Sequence, residues 1–291
     1  MPVDLVLFNG DFQTMDSRLP RVEAVAIAGD RIADVGSSSA MRAQLAPGGR
    51  LVDLAGRTVT PGFIDAHLHF LAYGLSLREI DLINVPSLAA AQAKVAEKAA
   101  TAPAGQWLTG RGWDQMLWPV ATFPTRAALD AVTPGHPAFL RRKCGHAGWA
   151  NSRALELAGI TAQTPDPPGG EIVRDPGSGE PTGMLLERAM DLIFALLAEP
   201  TDDQVQAALL LAQQKAHEYG IVGVHNMEAA PALRGFQSLR RQGKLKLRVL
   251  QQIPETELDA AIAVGLQSGY GDEWIRIGAL KIFADGSLGA R

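Results

Sequence analysis

Two imidazoles stand two residues apart in Pro61-Gly-Phe-Ile-Asp-Ala-His-Leu-His-Phe70, a stretch that reads as a buried strand. Side chains alternate along a strand, so His67 and His69 share a side with Phe63 and Asp65. Ile64, Ala66 and Leu68 face the other way and are all apolar. One ligand-bearing face and one dry face suit the inner wall of a barrel backed by helices. Two imidazoles on one face can bind one divalent ion without bending the backbone. Zinc accepts imidazole nitrogen and keeps an open position in catalytic sites. A bound ion lowers the pKa of water to ~7, which makes hydroxide available at neutral pH. The plainer reading is a pair of strand histidines making ordinary hydrogen bonds, and a two-residue spacing is short enough to arise by chance.

Lys281 is the second candidate. It lies in Ile275-Arg-Ile-Gly-Ala-Leu-Lys-Ile-Phe283, where strict alternation gives it a face with Ile275, Ile277, Ala279 and Phe283. A buried ammonium without a partner is costly, and burial lowers the pKa of a lysine. An ion pair with a carboxylate such as Asp285, snorkelling to solvent, or chemical modification would each resolve the conflict. His225 falls near the C-terminal end of a strand over 221–227, the active face of parallel α/β barrels, and is either a site residue or a core histidine. His217 sits outside the apolar stripe of its helix, near the C-terminus, where the dipole favours it. His136, between Gly135 and Pro137, reads as a turn residue, and His146 lies in a loop-rich stretch where it lines a pocket or is simply a loop residue. Nucleophile elbows, phosphate-binding glycine loops and paired-cysteine motifs are absent from the sequence, and the lone Cys144 shows no sign of activation.

The elements that must position these residues fall into three stretches. Residues 3–60 read as short strands with tight turns, over 3–8, 22–28, 31–35 and 51–54. Asn9-Gly10 is a hairpin signal. Pro61-Gly62 marks the passage into the histidine strand. An alanine-rich helix over 87–100 has Ser87 as its N-cap. Residues 103–185 hold most of the tryptophans and many prolines and glycines, which predicts an inserted subdomain with long loops rather than regular βα repeats. Regularity returns at Thr201, which forms a capping box with Gln204. Val205, Ala208, Leu209, Ala212, Ala216 and Tyr219 then recur at helical spacing up to Gly220. Strands over 221–227, 245–252 and 274–283 alternate with helices over 230–242 and 255–266. That alternation implies parallel strands with helical crossovers. Four barrel-type strands result where an eight-stranded barrel needs eight, over ~250 residues.

The bulk properties exclude other classes. The 291 residues suffice for one large domain or two smaller ones, and a hydrophobic fraction of 47% can fill a core. A net charge of -4 gives no electrostatic reason to expect nucleic acid or an anionic membrane as partner. The single cysteine fits a reducing compartment. No signal peptide is read, and no apolar run reaches the ~18 residues of a membrane span. The expectation is a soluble cytoplasmic protein, and a homo-oligomer is compatible with it.

With these residues assembled, the chain resembles the amidohydrolase superfamily, in particular the amidohydrolase-3 type subgroup that includes N-substituted formamide deformylases. The resemblance covers essentially the whole chain. It rests on the residues from Val25 to Gly36, on Pro61 to His69, on Gly110-Arg-Gly-Trp-Asp114 with Leu117-Trp-Pro119, and on His146-Ala-Gly-Trp-Ala-Asn-Ser-Arg-Ala-Leu155. Glu180-Pro-Thr-Gly-Met-Leu-Leu-Glu187 and Lys281-Ile-Phe-Ala-Asp-Gly-Ser-Leu-Gly289 complete it. The resemblance implies an α/β fold: an N-terminal β-sandwich part over 1–58, then the first half of a (β/α)8 metal-dependent hydrolase barrel over 59–291, with the insertion at about 103–185. It implies one or two divalent ions, zinc by preference with iron, manganese or nickel as alternatives, held by His67 and His69. Lys281, carboxylated by carbon dioxide, would bridge them. The reaction implied is attack of metal-bound hydroxide on a small amide-like substrate, at a carbon–nitrogen bond other than a peptide bond. Trp113, Asp114 and His146 are candidates for the substrate pocket.

Departures from the family pattern matter as much. Further histidines and the aspartate that serves as proton shuttle are expected beyond Arg291, so no catalytic residue is assigned. Asn226 stands where similar proteins often carry aspartate, and Cys144 where an acidic residue is expected. The roles of His225 and Glu187 stay open. The chain reads as the N-terminal part of a longer enzyme. The alternative is a truncated, inactive fragment or a small-molecule binding module.

Overall fold

The computed structural model describes residues 2–282, which divide into two compact units between Ile64 and Asp65. Phe283 and Asp285, proposed above as a neighbour and a partner of Lys281, lie outside the described residues. Seven strands come first: β1 (Val3–Phe8), β2 (Asp11–Gln13), β3 (Arg21–Val22), β4 (Ala24–Ala28), β5 (Arg31–Gly36), β6 (Leu45–Asp53) and β7 (Thr58–Val59). They form a four-stranded sheet of order β5-β4-β1-β6 and a three-stranded sheet of order β3-β2-β7. Val6, Ala24 and Ala26 are buried in one small core with Met41, and Phe12, Val22 and Val25 in another. The Asn9-Gly10 turn does not close a hairpin. β1 pairs with β4 and β6, while β2 belongs to the other sheet. The turn is held by the far end of β6 instead: Asn9 Nδ2 donates to Asp53 at 2.7 Å, and Gly56 N donates to the Asn9 carbonyl at 2.7 Å.

The chain continues with β8 (Phe63–Leu68), β9 (Ile80–Asp81), β10 (Leu108–Trp113), β11 (Ala138–Arg142), β12 (Ala147–Ala150), β13 (Gly170–Arg174) and β14 (Pro181–Glu187). It ends with β15 (Ile221–Asn226), β16 (Arg248–Pro254) and β17 (Ile275–Lys281). The stretch expected to be loop-rich has long connections, but they join five strands of a six-stranded sheet of order β13-β14-β12-β11-β10-β9, which begins upstream of residue 103 at β9. Alternation buries both of its faces. Leu140, Trp149 and Met184 enter one core with the helix Leu88–Thr101, and Phe139, Ala150 and Leu185 enter a second core with Ile193. The glycines and prolines sit largely at its turns and bulges, which is why composition suggested loops.

The remaining four strands form a sheet of order β17-β16-β15-β8. β15, β16 and β17 are parallel neighbours. Helices Phe70–Ser76, Asp202–Glu218 and Ala230–Arg241 pack with one face of this sheet. Phe70, Leu209, Val224, Phe236 and Val249 share their core. The Thr201–Gln204 capping box forms as expected and starts the helix. Tyr219, expected in its apolar stripe, is instead 72% exposed, because the helix ends there and Gly220 turns the chain at φ 72°. Gly74 lets two helices cross closely: a Cβ at that position would lie 2.2 Å from the carbonyl oxygen of Ala208.

Candidate metal centre

β8 is the edge strand of the parallel sheet, with β15 on one side. Met227 N donates to the Leu68 carbonyl at 3.1 Å. In a parallel ladder that bond sets Leu68 level with Asn226 and therefore His67 level with His225, about 4.8 Å away along the ladder. Leu68, Val224 and Val249 contact the helical core, so His67 and His225 occupy the opposite face. Sequence reasoning left His225 open between core and site, and the register places it beside His67. The dry face expected for β8 is only partly dry. Leu68 packs against the core, but Ile64 is 62% exposed and Ala66 is exposed as well. An edge strand has a neighbour on one side only, and the following helix, which starts at Phe70, covers just the end of β8.

His69 is the N-cap of the helix Phe70–Ser76, and its side chain makes no capping bond. The exposed N–H groups of that helix find acceptors across the sheet. Asn226 Oδ1 accepts from Phe70 N at 3.2 Å, and the two oxygens of Glu228 accept from Leu71 N at 2.6 Å and Ala72 N at 2.8 Å. A carboxylate at a helix N-terminus satisfies orphan donors and the dipole together. Burial pushes the Glu228 carboxyl above its usual range, against the pull of those two N–H groups and of His69. Asn226 is fully buried and donates Nδ2 to Gln251 Oε1 at 3.0 Å. Gln251 Nε2 donates in turn to the carbonyls of Glu228 at 2.5 Å and Gln252 at 2.7 Å. Gln252 Oε1 accepts from Ala279 N at 2.6 Å, which carries the network to β17. An aspartate at 226 could not donate to Gln251, so this departure from the family pattern has a structural role. Glu228 and the two glutamines escaped sequence reasoning because their partners are far away in the chain.

Lys281 lies opposite Pro254 at the C-terminal end of β17. Gln251 faces Ile277 and Ile253 faces Leu280, so two steps on β16 match three on β17. The extra residue reverses the alternation beyond it. Lys281 therefore does not share a face with Ile275 and Ile277, as strict alternation would require. It takes the side of His225 and is half-buried there. The His67 and His69 ring centroids are 6.0 Å apart. A ring centroid lies about 3 Å from a zinc bound at ~2.0–2.1 Å by its nitrogen, so these rings can flank one ion. Imidazole nitrogens are donors that fit zinc. Among the described residues, no three His, Cys, Asp or Glu side chains are grouped tightly enough to hold a metal ion.

The pocket candidates separate. Trp113 is fully buried, donates Nε1 to the Leu140 carbonyl at 2.8 Å and packs against Trp118 and Trp149. Asp114 pairs with Arg142 at 2.7 Å and caps the short helix Gln115–Leu117. His146 lines a cavity of about 360 Å³ with Phe123, Cys144 and Glu187. Its Nδ1 meets Glu187 Oε2 at 2.9 Å, and the Glu187 N–H donates to its carbonyl at 2.9 Å. Glu187 holds φ 51° and ψ -128°, a strained backbone for a residue with a side chain. His136 closes the turn expected of it, His136 N donating to the Thr133 carbonyl at 3.1 Å, and it is buried there with Nδ1 3.0 Å from the Gln106 carbonyl. His217 Nε2 lies 3.0 Å from the Lys246 carbonyl.

Residues 50–291 match the amidohydrolase family. The chain belongs to that family. Among amidohydrolase relatives, the N-substituted formamide deformylase of Arthrobacter pascens is 34% identical over 97% of this chain and 54% of its own length. The LONG AFTER FAR-RED 3 protein of Arabidopsis thaliana is 33% identical over 99% of this chain and 51% of its own. An uncharacterized metal-dependent hydrolase from Pyrococcus horikoshii superposes with a TM-score of 0.76 at 30% identity, over 99% of this chain and 56% of that one. The chain thus spans about half the length of the relatives it matches. Among the described residues, no helix is long and apolar enough to cross a membrane.

Proposed function

We propose that this chain carries the first half of the metal centre of a hydrolase acting on carbon–nitrogen bonds other than peptide bonds, in small amide-like substrates. The observation that carries the proposal is the register that sets His67 beside His225, with His69 held next to them at the Glu228-capped helix start. His67 and His69 would hold a divalent ion, zinc by preference. Such an ion, when bound, supplies Lewis acidity and makes water a usable nucleophile near neutral pH. Lys281, once neutral, would attack carbon dioxide: a nitrogen–carbon bond forms, an amine proton leaves to solvent, and the carbamate gains an anionic oxygen for the metals. The four parallel strands would be half of a (β/α)8 barrel, with the β9–β14 sheet as its insertion and residues 1–58 as part of a β-sandwich. Similarity to a solved metal-dependent hydrolase and to a deformylase supports this reading.

The test is formate or amine release from a panel of N-substituted formamides by the full-length protein. Activity should vanish on chelation and return with zinc. Hydrolysis indifferent to chelation would reject the proposal. The partial span favours a second reading, in which these 291 residues alone are an inactive fragment or a binding module. Hydrolysis by the purified chain would remove it, and ligand affinity that survives chelation would favour the binding module.

A further inference from the structure

The C-terminal ends of β10 and β11 gather positive charge. Their register pairs Arg111 with Arg141, directly opposite one another. Like charges placed so are destabilising. The arrangement is built by a bulge between Arg111 and Trp113, where Gly112 adopts φ 97°. A side chain at Gly112 would meet Ile83 Cγ1 at 2.4 Å. Arg111, Arg141, Arg142 and Lys143 line one cavity of about 200 Å³ together with Ile83 and Cys144. Among the described residues, two of the four cations have ion-pair partners. Both nearest Glu79 oxygens accept from Arg141, at 3.2 and 3.0 Å, and Arg142 pairs with Asp114 at 2.7 Å. The other strand neighbour of Arg111 is Asp81, whose Oδ1 accepts from Ile83 N at 3.0 Å. Asp81 makes no ion pair with Arg111, and the half-buried guanidinium has no hydrogen-bond partner among the described residues.

We infer that this cavity is a binding site for a small monocarboxylate. Among the described residues Glu79 answers Arg141 and Asp114 answers Arg142, and Lys143 is exposed to solvent, so the half-buried Arg111 is the cation that a single carboxylate would neutralise. An unpaired guanidinium offers the planar fork that carboxylates accept from in bidentate fashion. The volume admits a short acid, and Ile83 supplies an apolar wall for its carbon chain. The inference is independent of the metal centre.

The test is calorimetric titration of the full chain with propionate, with inorganic phosphate as a second arm. Propionate should bind, R111Q should weaken it at least tenfold, and K143Q should weaken it a few-fold. R234Q, on an exposed helix surface, should leave it unchanged. Without added acid, R111Q should melt at or above the wild-type temperature, because it removes a like-charge neighbour. Should R111Q fail to fold, R111K and K143Q carry the test: R111K keeps the charge, loses the fork and should bind propionate several-fold more weakly. Absence of propionate binding, or binding unaffected by R111Q or R111K, would overturn the inference. Tighter binding of phosphate than of propionate would overturn the assignment to a carboxylate.

Discussion

At the ends of β8, β15, β16 and β17 the buried polar atoms are tied into a continuous network, running from Phe70 N through Asn226, Gln251 and Gln252 to Ala279 N. At the ends of β10 and β11 the Arg111 guanidinium has no partner among the described residues and lies opposite another arginine. The first arrangement fixes a scaffold on which His67, His69 and His225 are displayed, while the second leaves unbalanced charge facing a cavity. A saturated network resists change at any of its members. An unsaturated cluster gains when something binds it. The two sheets therefore predict opposite responses to substitution.

Trp113→Ala should have the largest effect on stability, about 3–5 kcal/mol, as for other buried aromatic truncations. Urea unfolding checks this. If Trp113 were instead a pocket residue, the loss would fall on substrate affinity and leave the unfolding midpoint nearly unchanged. Asn226→Asp should cost about 1–3 kcal/mol, since Gln251 Oε1 loses a buried donor and a carboxylate enters the core. A variant as stable as wild type would dissolve the contrast between the two sheets. Thr201→Ala should cost about 1 kcal/mol in the same measurement, the usual value of an N-cap.

The smallest effect concerns pH. A carboxyl raised by burial binds its proton more readily in the folded chain than in the unfolded one. Unfolding free energy should therefore fall as pH rises from the ordinary glutamate value of 4.5 through the raised value of Glu228. Glu228→Gln should remove that slope and also lose one bond to the helix start. Melting temperatures between about pH 4 and 8 measure it. An unchanged slope in the variant would assign the dependence to another group.

Local devices were legible in the sequence. Ser87 accepts from Ala90 N, the Thr201–Gln204 box forms, and Gly220 ends its helix, because each depends on neighbours within a turn. The four strands of the parallel sheet were legible from hydrophobic runs between amphipathic helices. Features set by distant pairing were not. Asn9-Gly10 has a hairpin composition, but β6 decides where β1 pairs. The bulge that turns Lys281 toward His225 depends on the register with β16. Glu228 caps a helix 157 residues earlier in the chain, a relation that no local pattern encodes.

The central claim is that His67 and His69 act as a pair toward one metal ion. Zinc titration against a chromophoric chelator, on the wild type and on the H67A/H69A double variant, tests it most directly. The account predicts at least one zinc equivalent bound by the wild type and a loss of a hundredfold or more in the variant, with R111Q unchanged. Equal zinc affinity in the wild type and the double variant would contradict it.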